Sequence, residues 1–286
     1  ASLKEVKGRI ASVNNTRKIT SAMKMVASAK LHKAQAAIES MLPYERRLHH
    51  ILTDFMSNCT EVTSPFIVKR EVKKVAVVVF ASNTSLCGGF NANVIRHLVD
   101  LLTEYKPLGL ENILVFPVGK KVADAVRKLG FRIEGDFQHM ADKPSYQEAA
   151  DLAADLMKRF LHGDVDKVEL LYNHFKSTAS QILTRETYLP IDLNNEKKEE
   201  ERTIDYILEP SAEELMQEML PKVLRMKMFT VLLDSNAAEH AARTMAMQIA
   251  TDNANELLQE LTVMYNKSRQ QSITNELLDI VGGSMA

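Results

Sequence analysis

Two long stretches of three-four hydrophobic spacing flank a middle with a different rhythm. From Lys222 to Val281 there is no glycine and no proline. Those two residues are the strongest local breakers of a helix, so their absence predicts one continuous helix. At a rise of ~1.5 Å per residue it would span roughly 90 Å, far longer than an average globular helix. Within it Ala238, Ala241, Met245 and Gln248, then Ala254, Leu257, Leu261, Met264 and Ser268, keep the three-four spacing. Leu258, Tyr265, Ile273, Leu277, Leu278 and Ile280 broaden its apolar face, and Gly282-Gly283 is expected to end it. Thr251–Glu256 and Arg269–Ser272 interrupt it with polar groups, and Asp252 falls near an expected apolar position. Polar residues in a helical seam cost stability and fix register or partner.

A rod this long needs an equally long partner, and the other end of the chain supplies one. Over residues 2–57 the apolar positions are Leu3, Val6, Ile10 and Val13, then Ile19, Met23 and Val26. They continue through Leu31, Ala34, Ile38 and Met41 to Leu48, Leu52 and Phe55. This narrow seam is the pattern of a coiled coil. Ser2 with Glu5 forms a capping box at its start. Small residues such as Ala22, Ala27, Ala34 and Ala37 permit close approach of a partner, and Pro43 is expected to kink the helix.

The middle reads differently. Val75–Phe80 and Ile113–Phe116 are short apolar runs rich in β-branched residues, which predicts strands buried on both faces. A helix carrying Val94, Leu98, Leu101 and Leu102 separates them. A second helix, Val122–Leu129, is closed by Gly130, and Phe131–Ile133 could add a short strand. Ser145 with Glu148 reads as the capping box of a third helix reaching His162. This β-α-β-α rhythm implies a parallel sheet covered by helices. Val168–Phe175 and Gln181–Leu189 follow as two strands with a turn near Lys176-Ser177, then a charged loop at 196–202 and a last strand at 203–208. Ser211 with Glu214 is a further capping box, and Pro221 either kinks the C-terminal helix or starts a new segment.

The expected fold is therefore α+β. A long antiparallel two-helix coiled coil from the N- and C-terminal segments carries a central α/β, Rossmann-like domain. The boundaries are 1–57 for the N-terminal helix, 58–209 for the central domain and 210–286 for the C-terminal helix. Glycine supports the division: seven of the ten lie between Gly88 and Gly163.

Composition excludes more than it assigns. The 286 residues are 45% hydrophobic and 26% charged, which fits a water-soluble chain, and no apolar run is long enough to span a membrane. Ala1-Ser2 leads straight into charged, periodic sequence, so no signal or transit peptide is expected. Cys59 and Cys87 are too few for a disulfide framework, which fits a reducing compartment. The net charge of −1 conceals a basic start, with Lys4, Lys7, Arg9, Arg17, Lys18, Lys24, Lys30 and Lys33 against Glu5. A solvated basic face explains this; an acidic protein surface, nucleic acid or anionic lipid would also suit it.

Candidate chemistry is thin. Ser85–Phe90 sits after a strand and before a helix, where a phosphate loop would lie, but neither GxGxxG nor Gly-Lys-Ser/Thr is present. A tight turn is the better reading. Cys87 near a helix start has no histidine placed to activate it. Asp136, His139 and Asp142 read as loop polarity, His49-His50 as a partly exposed helical pair, and Glu239-His240 lacks the HExxH spacing of a zinc protease.

Ile19–Ala27 (ITSAMKMVA), Leu86–Asn91 (LCGGFN), Glu239–Met247 (EHAARTMAM), Ala250–Ala254 (ATDNA) and Tyr265–Thr274 (YNKSRQQSIT) together resemble the gamma subunit of the F-type ATP synthase, bacterial type. The resemblance extends over essentially the whole chain. It implies a non-catalytic central rotor stalk without a cofactor. This stalk would carry torque between an ion-driven membrane rotor and three catalytic sites. Its partners would be the alpha and beta subunits of the head, the epsilon subunit and the ring of c subunits, with neither nucleic acid nor a membrane span. It would lie at the cytoplasmic face of the cell membrane. Arg269, Gln270 and Thr274 match positions that meet catalytic-subunit loops in that family. Met23 and Lys24 match a segment near the moving domains of those subunits, and Cys87 lies in a loop expected to face them. Arg243 is expected to hold the two rods together or to reach the same surface. One departure is visible: Ser82-Asn83-Thr84-Ser85 replaces the family's usual Ser-Asp-Arg-Gly, removing a charged pair. Two other readings have a different basis. One is a nucleotide-binding α/β enzyme with coiled-coil oligomerisation arms, which would bind nucleotide as an isolated chain. The other is a coiled coil on a membrane surface, which would bind lipid.

Overall fold

The computed structural model describes residues 2–58, 64–191 and 212–284. The predicted loop at 196–202, the strand at 203–208 and the boundary at 209–210 fall outside them.

Helix α1 spans Leu3–Asn58 and α6 spans Ala212–Ser284. Both are assigned as continuous helix through their prolines, Pro43 and Pro221. The glycine pair does not end α6, which runs through Gly282 and Gly283 to Ser284. Neither glycine has a neighbour within reach, so only their weak helix propensity opposes the last turn. At the start of α1, Ser2 accepts a hydrogen bond from the Glu5 amide, which is half of the expected capping box.

Between the rods lie β1 (Val75–Phe80), α2 (Phe90–Tyr105), β2 (Ile113–Val118), α3 (Lys120–Leu129), β3 (Arg132–Ile133), α4 (Gln138–Asp142) and α5 (Tyr146–His162). Strands β4 (Lys167–Ser177) and β5 (Ser180–Leu189) follow. They form one sheet in the order β3-β2-β1-β4-β5. The first four strands are parallel, as the β-α-β rhythm predicts, and β5 is antiparallel to β4. The turn between β4 and β5 lies at Thr178-Ala179, beyond the predicted place.

Alternate residues of β1 feed opposite faces of this sheet, as strand geometry requires. Val75, Val77 and Val79 pack with Ile113 and Val115 against α2 and α3. Ala76, Val78 and Phe80 pack with Phe116 against α5 and the first turns of α6, including Met216, Leu220, Leu224 and Met228. The buried Tyr188 hydroxyl donates to the Leu224 carbonyl at 2.7 Å, tying β5 to the same helix. The shaft is therefore an integral layer of the globule before it leaves it.

Two local expectations are corrected. Ser145 stands before α5 but makes no capping hydrogen bond, and the Glu148 carboxylate meets His139 Nδ1 at 2.9 Å. His139 itself lies on α4, a helix too short to announce itself by periodicity.

Candidate functional site

The seam between α1 and α6 repeats every seven residues. Val6, Val13, Thr20, Ala27 and Ala34 form one inward row of α1; Ile10, Arg17, Lys24, Leu31 and Ile38 form the other. On α6 the rows are Met247, Ala254, Leu261 and Ser268, with Thr244, Thr251, Leu258 and Tyr265. A strict seven-residue period on helices of ~3.6 residues per turn winds the pair into a left-handed supercoil. The hydroxyls of Thr20 and Thr251 lie 2.8 Å apart, and Leu31 and Ala34 pack with Ala237 and Ala241. The helices are therefore antiparallel.

This corrects the predicted seam. Ile19 and Val26 are each 60% exposed, and Met245, Leu257 and Met264 also face outward. They stand beside Met25 and Ile249, which are exposed as well. Polar side chains occupy the inward positions instead: Arg17, whose guanidinium donates to Asn255 at 3.4 Å, together with Thr20 and Lys24. Within the predicted polar stretch 251–256 of α6 it is Thr251 that enters the seam, while Asp252 is exposed and accepts from Gln248.

Extending the antiparallel register places Leu3 opposite Ser268, so α6 outruns α1. Every residue from Arg269 to Gly283 is exposed. The tip carries Ile273, Leu277, Leu278, Ile280 and Val281, the last four all more than half exposed. At ~1.5 Å per residue the bare segment is roughly 20 Å long. Arg269, Gln270 and Thr274 lie on it, with the Thr274 hydroxyl donating to the Gln270 carbonyl.

Cys87 and Arg243 occupy a different environment. Cys87 is only 2% exposed and packs with Phe90, Ala238 and Ala242. Arg243 is also buried, and its guanidinium donates to the Ser85 carbonyl and to the Glu239 carboxylate. Arg243 thus fastens the Ser82–Gly89 loop to α6 through its hydrogen bonds to Ser85 and Glu239. The exposed face of that loop belongs to Thr84, Ser85 and Leu86, and Leu86 holds a left-handed φ of 67°. Met23 and Lys24 are both half-buried, Lys24 in the inward row and Met23 beside it.

The loop leaves little of a phosphate site. The Ser82 amide donates to Asn91, and Asn91 donates to Ser82 and to the Thr84 carbonyl. Gly119 approaches so closely that a Cβ there would lie 2.2 Å from the Ala81 carbonyl oxygen. Asn83 donates to the Gln138 carbonyl at 2.8 Å and accepts from the Lys120 amide at 2.8 Å. An ionised aspartate could accept but not donate, so asparagine at this position supplies a bond that Asp would lack. Among the described residues no group of His, Cys, Asp and Glu could hold a metal ion. No described helix is long and apolar enough to cross a membrane. The side chains of His49 and His50 lie outside the described set.

Two buried ionisable groups, Glu239 and His240, drew notice in the sequence only as an incomplete zinc-protease pattern. His240 sits where the shaft meets the globule, with Nδ1 lacking a partner. Burial, reinforced by Lys30 and Arg243, pushes its imidazole down to about 4. Burial raises the neighbouring Glu239 carboxyl above its ordinary value, although Arg243 pulls the other way. A helical spacing that places Glu239, His240 and Arg243 among alanines was the available signal.

Comparison with known proteins accounts for this architecture. A family model described as ATP synthase matches residues 2–286. The ATP synthase gamma chain of Phocaeicola vulgatus is 82% identical over 288 residues, covering 100% of both chains. That of Parabacteroides distasonis is 52% identical, covering 99% of this chain and 98% of its own. Among solved structures, a chain of the Euglena gracilis mitochondrial ATP synthase OSCP/F1/c-ring assembly shares the fold, with a TM-score of 0.64 at 20% identity over 99% of this chain and 93% of that one. A chain of the Tetrahymena thermophila mitochondrial ATP synthase central stalk and c-ring gives 0.58 at 22% identity, covering 81% and 99%. With relatives this similar over their whole length, the chain belongs to the ATP synthase gamma-chain family.

Proposed function

We propose that this chain is the rotating central stalk of an F-type ATP synthase, a non-catalytic subunit that carries torque between an ion-driven membrane rotor and the catalytic head. The observation that carries this reading is the bare apolar end of α6. A helix exposing Leu277, Leu278, Ile280 and Val281 along one broad face needs a surrounding sleeve, because apolar surface of that extent is unfavourable in water. The ring of alpha and beta subunits is that sleeve. The outward row of Ile19, Met25, Val26 and Ile249 is the side wall of the same bearing. The globule faces the epsilon subunit and the c-ring, peripheral to the membrane on its cytoplasmic side.

The mechanism is mechanical. A two-helix rod resists twist and bending better than one helix, and a single chain within a three-fold ring breaks its symmetry. Rotation of the foot turns the rod, which presses on the three catalytic sites in succession. Met23 and Lys24 would meet the moving domains beside the seam, and Arg269, Gln270 and Thr274 would meet catalytic-subunit loops at the tip. Cys87 and Arg243 serve the same surface indirectly, by holding Thr84–Leu86 in place against the shaft. The nucleotide-enzyme alternative loses its main support because Asn83 and Gly119 close the ends of β1 and β2 on each other.

Replacing Arg269 and Gln270 together by alanine is expected to lower coupled ATP synthesis or assembly while the chain stays folded, since both side chains are exposed. Unchanged ATP synthesis in the reconstituted double variant would overturn the contact assignment. Nucleotide turnover by the isolated chain would overturn its non-catalytic role.

A further inference from the structure

The outer half of β4 leaves the sheet. Its pairing with β1 ends at Leu171, and from Tyr172 onward β4 is paired with β5 alone. This projecting hairpin reaches the shaft through Phe175. The Phe175 side chain packs against the cluster where α1 meets α6, containing Leu31, Ala34, Ala237 and Ala241. It also packs against the cluster where the Ser82–Gly89 loop meets α6, containing Cys87, Phe90, Ala238 and Ala242. Among the described residues no other side chain is shared by these two clusters.

The ring is held from behind. The Phe175 amide donates to Asp234 Oδ1 at 2.8 Å, and His174 Nδ1 lies 2.7 Å from Asp234 Oδ2. Asp234 is on α6, one turn before the alanines that receive the ring. At its root the hairpin is braced by Glu169, which is nearly fully buried. Arg185 donates to Glu169, as do Lys167 and Tyr105, and Arg185 also reaches Glu104 on α2. Burial alone would raise the Glu169 carboxyl, but Arg185 and Lys167 outweigh it and hold the group below its ordinary value.

We propose that Phe175 is the torque key of this subunit, a positioning residue that locks the globule to both shaft helices. It fits a slot that four alanines of α6 leave open. Twisting the rod relative to the globule must drag the ring out of that slot. Close-packed side chains resist such displacement, since small separations already forfeit much of their contact energy. The hairpin acts as the lever and the ionic brace at Glu169 as its footing. This inference rests on the rotor reading and goes beyond it by naming where torque passes between the globule and the rod.

The test uses the assembled head complex carrying native, Phe175→Ala or Phe175→Leu chains, with the head immobilised and a bead fixed to the globule. The angular width of bead fluctuations during catalytic pauses reports torsional stiffness. Phe175→Ala is expected to increase the angular variance of the order of twofold, because the slot is emptied, while Phe175→Leu stays near native. Native-like variance in the assembled Phe175→Ala complex would overturn the proposal. Should that chain fail to enter the head, Asp234→Ala, which releases the Phe175 amide, is read instead. It too must widen the fluctuations, and an unchanged width overturns the proposal. Absence of rotation in the native complex would instead count against the rotor reading.

Discussion

Between Met216 and Arg243, α6 is covered on nearly every side. The sheet and α5 enclose its first turns, and α1, Phe175 and the Ser82–Gly89 loop enclose the next. From Arg269 to Gly283 the same helix is exposed along its whole circumference. Both segments carry large apolar residues, although fewer at the tip, so the presence of such residues alone does not separate covered from bare. They differ in side-chain size and in what the remaining chain can reach. The covered segment uses alanine wherever three elements converge, and the bare one sets leucine and isoleucine along one broad face. The first is finished within the subunit, and the second leaves its apolar surface for other chains.

Four measurements would break or sharpen this contrast. Leu220→Ala, in the covered segment, removes a fully buried side chain and is expected to cost about 2–5 kcal/mol of stability in urea unfolding. A loss well under 1 kcal/mol would show that this part of α6 is not a true core layer.

Next comes pH. His240 titrates at about 4 in the fold against an ordinary value of 6.5. The unfolded chain therefore takes up a proton first, and stability falls as pH drops from about 6.5 towards 4. The loss from this group alone reaches up to about 3 kcal/mol. His240→Gln should flatten that slope, whereas a substitution at the tip should leave it intact.

A smaller effect is expected at the seam. Thr20→Ala removes the partner of the Thr251 hydroxyl across the interface, leaving it only its bond to the Met247 carbonyl, and should cost about 1 kcal/mol. Replacing both threonines by valine removes donor and acceptor together and should be close to neutral in a thermal melt. Equal losses for the two would mean that the hydroxyl contact contributes nothing.

The smallest expected change is Leu278→Ala, within about 0.5 kcal/mol for the isolated chain. Its effect should emerge only in binding to the head. A large loss of stability in the isolated chain would mean that the tip is covered after all.

Much of this organisation was legible in the sequence. β-Branched runs announced β1 and β2, because a strand buried on both faces has no polar alternation to confuse it. The two rods were legible from the scarcity of glycine and proline. The seam was read correctly at Val6, Ile10, Val13, Leu31 and Ala34 and misplaced by about one position around Ile19, Val26, Met245, Leu257 and Met264. Ile19, Val26 and Met245 look like core residues in a chain read alone, but they face outward. Thr20 and Lys24 look like surface residues, but they face inward. Hydrophobicity marks what will be buried in the assembly, and it cannot say whether by this chain or by another. The strict seven-residue repeat of Val6, Val13, Thr20, Ala27 and Ala34 was the better signal, because it follows helix geometry and ignores polarity. Of the candidate site residues, Cys87 and Arg243 are buried, which no local pattern could show, since their burial depends on the Ser82–Gly89 loop folding onto α6 from more than a hundred residues away. Phe175 carried no local signal at all, since its role arises only where the hairpin meets the rod.

The unaccompanied end of α6 has a thermodynamic consequence for assembly. A single helix of that length is marginal in water on its own, because nucleation and fraying are not offset by packing. In the free subunit its amide protons should exchange far faster than those of the segment around Ala241. Within the head the same amides should become protected. Part of the attraction between the head and this tip is therefore spent on ordering backbone that was previously melted, so the measured affinity falls below what the buried apolar area alone would give. A subunit built this way enters its socket by condensing into it, and it becomes a stiff shaft over its full length only once it is there.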